Sequence, residues 1–197
     1  MSSPSAEPAW ASAFTPDLSD VVSLIAAAGE NPTIVIDGPS GAGKSTVADA
    51  LLSLWPRANS PEACVQLVRL DDIYPGWEGL EAAATIAQHI LSERSRGRSA
   101  SWQRYDWARG ELTTWHEVDP SRPLIVEGCG SLSAQAVAGA QIRIWVSVSE
   151  DVRKERALAR GGEDFESHWE AWDQQFMARI LRDNPERFAN MILAASE

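Results

Sequence analysis

The segment Gly38-Pro-Ser-Gly-Ala-Gly43-Lys44-Ser45 limits what this chain can fold into more than any other feature. It follows Pro32-Thr-Ile-Val-Ile-Asp37, a β-branched run that reads as a buried strand, and it precedes a helical segment from about Lys44 to Leu54 that Pro56 closes. A strand, a glycine-rich turn fitting G-x-x-x-x-G-K-[ST] and a helix form a phosphate-binding loop. Glycines let successive backbone N–H groups converge on phosphate oxygens without a Cβ in the way, and the helix N-terminus adds partial positive charge. Nucleotide phosphates are therefore expected on Gly38, Ser40, Gly41, Ala42, Gly43, Lys44, Ser45 and Thr46, with Lys44 at the terminal phosphates and the Ser45 hydroxyl on Mg²⁺.

Further strands are predicted at Cys64–Leu70, Pro123–Glu127 and Ile142–Val148, each followed by a turn and a helical segment. Alternation of strands and helices implies right-handed βαβ units and a parallel sheet covered on both faces. Helices are predicted at 17–28, 79–93, 132–138, 150–160 and 166–182. The stretch 97–122 is irregular and rich in Trp and Arg, with Leu112–Val118 as an edge strand or hairpin arm. Residues 1–16 are expected to be a flexible segment and 17–197 a single domain.

With 17 Lys plus Arg against 28 Asp plus Glu, the net charge of -11 opposes non-specific binding to nucleic acid or an anionic membrane. A polyphosphate partner then needs local cations, and the first cation in the chain is Lys44. No apolar run is long enough to span a bilayer. The N-terminus lacks the positive charge and apolar block of a secretory signal, so a cytoplasmic location is expected. Cys64 and Cys129 are too few for a disulfide framework and are read as reduced.

In an open parallel sheet, ligands bind beyond the C-terminal ends of the strands. Three predicted strands lead into acids there: Asp37, the pair Asp71 and Asp72, and Glu127. Carboxylates beside a phosphate loop suit one general base and one group that orients Mg²⁺ or its water. Asp71 is assigned as the base that accepts the proton of an attacking hydroxyl, and Glu127 as the Mg²⁺ group. Aspartates at these positions also suit turn capping, and Asp72 is the better fit to that role. For Glu127 the alternative is a solvated strand end.

The order of these parts resembles the uridine/cytidine kinase-like branch of the P-loop small-molecule kinases, which also holds pantothenate kinase and phosphoribulokinase. The similarity runs from about Thr33 to Arg182 through the phosphate loop, Asp71-Asp72-Ile73-Tyr74, Tyr105-Asp106-Trp107, Ile125-Val126-Glu127-Gly128 and an arginine-bearing helix before a glycine lid. It implies an α/β fold of three layers, a parallel β-sheet sandwiched by helices, with an acceptor-binding insertion at about 74–118 and a lid at about 153–166. It implies ATP and Mg²⁺ as cofactors, Asp71 as catalytic base, and acceptor contacts from Tyr74 and Tyr105. The lid arginines of that family match Arg153, Arg156 and Arg160, which would embrace the transferred phosphoryl group. Three departures stand out. Pro75-Gly-Trp-Glu-Gly-Leu80 replaces the nucleoside-binding segment, Ala108-Arg-Gly110 follows Tyr105-Asp-Trp107 where the family has a His, and the lid is shortened to Arg160-Gly-Gly-Glu-Asp164.

Nine tryptophans are a high count, and several lie between Asp71 and Glu127. Aromatic faces stack on nucleobases or sugars, and they also pack ordinary cores. Trp77, with Tyr74 and Tyr105, leads the acceptor-pocket candidates, joined by Asp72, Glu78 and Arg104. The run Arg94, Arg96, Arg98, Arg104 and Arg109 reads chiefly as helix-end and surface pairing, with RNA or a phosphorylated acceptor as the alternative, except that Arg104 and Arg109 flank Tyr105 and are candidates to reach the site. The activity expected is phosphoryl transfer from MgATP to a hydroxyl of a small polar acceptor, a nucleoside ahead of a sugar, amino sugar or vitamin-like alcohol. Hydrolysis without transfer, or nucleotide binding without turnover, is the alternative of another class. No nucleic-acid or membrane partner is expected, and the chain is a monomer or homodimer.

Overall fold

The computed structural model describes residues 9–55 and 64–194, with side chains at 18–55, 64–159 and 165–194. Five short strands form one parallel sheet in the order β2-β5-β1-β6-β7: β1 (Thr33–Asp37), β2 (Gln66–Arg69), β5 (Leu124–Glu127), β6 (Ile142–Ser147) and β7 (Met191–Ala194). β1 and β5 lie at the centre and are buried at every position, which explains their unbroken apolar runs. Register sets Val35 beside Val126 and Ile36 beside Glu127, so the two central strands end together.

Alternation along the strands divides the core into two faces. Ile34, Ile36, Ile125, Ile144 and Val146 pack with Leu18, Val21 and Ile25 of α1 (Ala9–Ala27) and with Val47 and Leu51 of α2 (Lys44–Ser53). Val35, Val68, Val126 and Trp145 pack with Leu80, Ala87, Ile90 and Leu91 of α3 (Leu80–Ser95), Ala136 of α4 (Ala134–Gly139), and Trp172 and Phe176 of α5 (Glu150–Asp183). Burying each large branched side chain contributes roughly 1.5–3 kcal/mol. This is the three-layer α/β/α arrangement expected of the sequence. Among the described residues, no helix is long and apolar enough to cross a membrane.

Five elements differ from expectation. α1 begins at Ala9, so part of the segment expected to be flexible is helical, while residues 1–8 lie outside the described residues. The strand expected at Cys64–Leu70 is shortened to β2, because Leu70–Asp72 turn into a 3-10 helix and lift Asp71 and Asp72 out of the sheet. β7 has no counterpart in the expectations: four residues are too few for a pattern, and their pairing with β6 is a tertiary fact. In the stretch expected to be irregular, β3 (Ala100–Asp106) is an unexpected strand; it pairs antiparallel with β4 (Glu111–Val118), the hairpin arm expected at Leu112–Val118, apart from the main sheet. The hairpin turn is set by Asp106, whose Oδ1 accepts from the backbone N–H groups of Ala108 and Arg109, while Gly110 supplies a φ of 68°.

The two predicted helices at 150–160 and 166–182 form one helical run, α5, which folds back on itself. In a straight helix, residues 153 and 173 would lie roughly 30 Å apart. Instead, Arg153 bonds Asp173 at 2.7 Å and lies 5.3 Å from the Trp169 ring centroid. The reversal therefore falls between Arg153 and Trp169, in the interval that holds Gly161 and Gly162.

Candidate active site

β1 ends in Asp37, a fully buried carboxylate that accepts backbone hydrogen bonds from Gly38 (2.7 Å), Gly130 (3.0 Å) and Leu132 (2.8 Å). Asp37 thus ties the loop after β1 to the loop after β5. Burial raises its pKa, and the three N–H donors and the nearby Lys44 oppose that rise. Gly41 has a φ of 82°, and a Cβ there would sit 1.9 Å from the backbone oxygen of Arg153. The loop can follow this path, pressed against the first arm of α5, only with glycine at this point.

Lys44 opens α2, and only 8% of it is exposed. Its Nζ donates to the Pro39 carbonyl (2.9 Å) and to Cys129 Sγ (3.3 Å). Burial pulls the ammonium pKa down, but the neighbouring Cys129, Glu127, Asp37 and Asp71 outweigh burial and the net shift is upward. Burial pushes the Cys129 thiol up to about 11, so Cys129 is neutral near pH 7 and the carboxylates keep Lys44 charged. Ser45 Oγ donates to Glu127 Oε1 at 3.0 Å. Glu127 is 2% exposed, and burial raises its pKa against the pull of Lys44.

These groups open into a cavity of about 330 Å³ lined by Ser40, Gly41, Lys44, Ser45, Glu127 and Cys129 on the phosphate-loop side. Asp71, Tyr74, Trp77, Trp107, Phe165 and Trp172 complete the wall. Trp77 is the centre of the aromatic group, with ring centroids 4.9 Å from Trp107, 5.3 Å from Phe165 and 6.5 Å from Trp172. The Trp107 indole N–H donates to the Asp71 carbonyl at 2.8 Å, which fastens the hairpin to the turn that carries Asp71. A parallel sheet with a glycine-rich loop after its central strand, a buried lysine and a carboxylate across the mouth sets this architecture apart from other doubly wound sheets.

No protein-family model matches the sequence, and no curated protein matches it either. Solved structures do match. A candidate uridine kinase from Bacillus stearothermophilus is 15% identical with a TM-score of 0.52, over 89% of this chain and 98% of that one. A candidate fructose transport system kinase from Silicibacter sp. TM1040 is 18% identical with a TM-score of 0.53, again over 89% and 98% of the two chains. The chain has the P-loop kinase fold.

Within this P-loop kinase fold, the structure brings together only part of the expected site. Ser40, Gly41, Gly43, Lys44, Ser45, Asp71, Tyr74, Trp77 and Glu127 share one cavity. Gly38 and Ala42 are buried beneath the loop, the N–H of Ala42 donates to Pro39, and Thr46 lies outside the cavity lining. Asp72 turns away and pairs with Arg104 at 3.0 Å. Glu78 is exposed, and Tyr105 packs edge-on against Trp107, behind the wall rather than in it. Tyr74 is buried and its hydroxyl donates to the Cys129 carbonyl at 2.9 Å, so it presents ring rather than hydroxyl. Arg153 is 6% exposed and holds Asp173, a role inside α5. Arg156 is exposed on the first arm, and the Arg160 side chain lies outside the described residues.

Of the basic run, Arg94 is buried and holds Thr33, Asn31 and Asp119, while Arg96 and Arg98 pair with Glu93. Sequence reasoning missed Cys129, Phe165 and Trp172 as cavity residues. An apolar helical spacing gave no sign that the second arm of α5 would return over the phosphate loop.

Proposed function

We propose that this chain is an ATP-dependent small-molecule kinase that transfers the γ-phosphoryl group of MgATP to a hydroxyl of a small acceptor. The observation that carries this reading is that Lys44 and Asp71, from loops after different strands, face one cavity that is closed on its far side by aromatic rings. Lys44 and the loop N–H groups hold the β- and γ-phosphates, and Asp71 receives the acceptor's proton as its oxygen attacks phosphorus and ADP leaves. Arg156, with Arg160, is assigned to the charge on the transferred group, and Arg153 to holding the arm that carries them.

Magnesium fits the donors present. Ser45 Oγ and Glu127 Oε1 lie 3.0 Å apart at the cavity, a hydroxyl and a carboxylate of the hard oxygen type that Mg²⁺ prefers. When bound, the ion would neutralise charge on the phosphate oxygens. A nucleoside acceptor leads, since aromatic rings give a base something to stack on, and a sugar, amino sugar or vitamin-like alcohol follows.

The test is ADP release by purified protein with MgATP and a panel of nucleosides, sugars, amino sugars and pantothenate-like alcohols. Acceptor-dependent ADP with a matching phosphorylated product is expected. Turnover indifferent to every acceptor would replace transfer by hydrolysis, and nucleotide binding with no turnover would leave a binding protein.

A further inference from the structure

A second cavity, of about 240 Å³, shares no lining residue with the first among the described residues. Arg179 and Arg182 of α5 and Arg187 of the turn after it (Pro185–Phe188) line it, together with Gln88 of α3 and with Ser133 and Gln135 at the start of α4. Among its described lining residues Asp183 is the single carboxylate, so three positive charges meet one negative in a chain whose net charge is -11. Glu81, outside the lining, pairs with Arg179 and Arg182, and the set that includes it is still net positive. The cavity abuts the strap that Asp37 ties to the phosphate loop: Arg179 Nη2 donates to the carbonyls of Gly130 and Leu132, whose N–H groups hold Asp37.

Arg179 is 2% exposed, a buried cation that its neighbours hold loosely. Nη1 lies 3.3 and 3.4 Å from the Glu81 oxygens and 3.6 Å from Asp183, and both Nη2 bonds are 3.3 Å. Nε has no partner among the described residues. Charge-assisted bonds run at about 2.7–2.9 Å, so this guanidinium has bonding capacity that its surroundings leave unused. Arg187 sits 4.6 Å over the Phe188 ring, a contact that supplies no acceptor oxygen. We propose that this cavity is a second oxyanion site, which takes a phosphate group either free or on a small ester. The guanidinium groups arrive from two elements, and a tetrahedral oxyanion accepts from several directions where a flat carboxylate accepts in one plane. Two carboxamides and the Ser133 hydroxyl add neutral hydrogen bonds around it.

The test is calorimetric titration of the full chain, at constant ionic strength, with inorganic phosphate, glycerol phosphate and malonate. Lys44→Ala disables the phosphate loop and removes competition from it, and the wild type with a saturating non-hydrolysable MgATP analogue repeats the measurement with that loop filled. Phosphate is expected to bind in both settings. Arg187→Gln, a change at an exposed residue, should weaken that binding about tenfold or more, and Arg187→Lys, which keeps the charge, should weaken it less. Glycerol phosphate tenfold ahead of phosphate would assign the site to an ester, and equal affinity would assign it to the free ion. Phosphate binding lost once the loop is disabled or filled, or unmoved by Arg187→Gln, would overturn the proposal. Malonate tenfold ahead of phosphate would overturn it as well. None of these outcomes depends on turnover, so the phosphotransfer reading stands or falls apart from them.

Discussion

Arg153 grips Asp173 with both terminal guanidinium nitrogens, at 2.7 and 3.2 Å, across twenty positions of one helical run. The pair is possible only because α5 doubles back, and it joins the arm that abuts Gly41 of the phosphate loop to the arm that supplies Trp172 to the cavity. Glycines at 161 and 162 cost roughly 1 kcal/mol each in a helix interior, which makes this interval the cheapest place for the run to reverse. Asp173→Ala would leave the buried Arg153 with only its longer contact to Glu150, at 3.8 Å, and is expected to cost about 1–3 kcal/mol in urea unfolding. An unchanged unfolding midpoint would show that the pair does not hold the arms.

Lys44→Ala and Asp71→Asn should both abolish transfer, for different reasons. Removing the lysine takes away the charge held among Glu127, Asp37 and Asp71, so nucleotide affinity falls with activity. Removing the base should lower turnover by about 10²–10⁴-fold with nucleotide affinity little changed. Calorimetry beside steady-state kinetics separates the two, and retained transfer in Asp71→Asn would dismiss that residue as the base.

Glu127 is kept at the cost of stability. Burial raises its carboxyl pKa above the ordinary 4.5, so as pH climbs the unfolded chain loses this proton first and ionisation favours unfolding. Glu127→Gln should therefore stabilise the unliganded protein near neutral pH, a gain that fades below pH 4 where both states are protonated. The same variant should lose Mg²⁺-dependent turnover. Denaturant curves at several pH values check the first effect and a Mg²⁺ titration of activity the second.

With its thiol pushed up to about 11, Cys129 holds almost no thiolate at pH 8, and thiol reagents should modify the partly exposed Cys64 first. The sign for stability follows: the unfolded thiol, near 9, ionises before the folded one, so the fold loses stability as pH rises from 9 through 11. Peptide mapping after brief alkylation checks the first statement. Comparing alkaline unfolding of the parent chain and Cys129→Ala checks the second.

The layers of the sheet, the loop after β1 and the carboxylates Asp71 and Glu127 were legible in the sequence because each depends on neighbours along the chain. Branched apolar runs make buried strands, and the glycine spacing needs only local backbone geometry. What could not be read is what distant segments do to one another. Asp72 and Arg104 look like acceptor ligands until they are seen to satisfy each other, and Tyr74, expected in the acceptor pocket, lines the cavity with its ring while its hydroxyl is held by the Cys129 carbonyl. The aromatic wall depends on the reversal of α5, which returns Phe165 and Trp172 to a cavity that begins at residue 40. Local pattern settled the glycine-loop half of the cavity, since backbone geometry is a short-range property. Packing between segments far apart in sequence decided the aromatic half, because a side chain's free polar atoms are those its neighbours have not already taken.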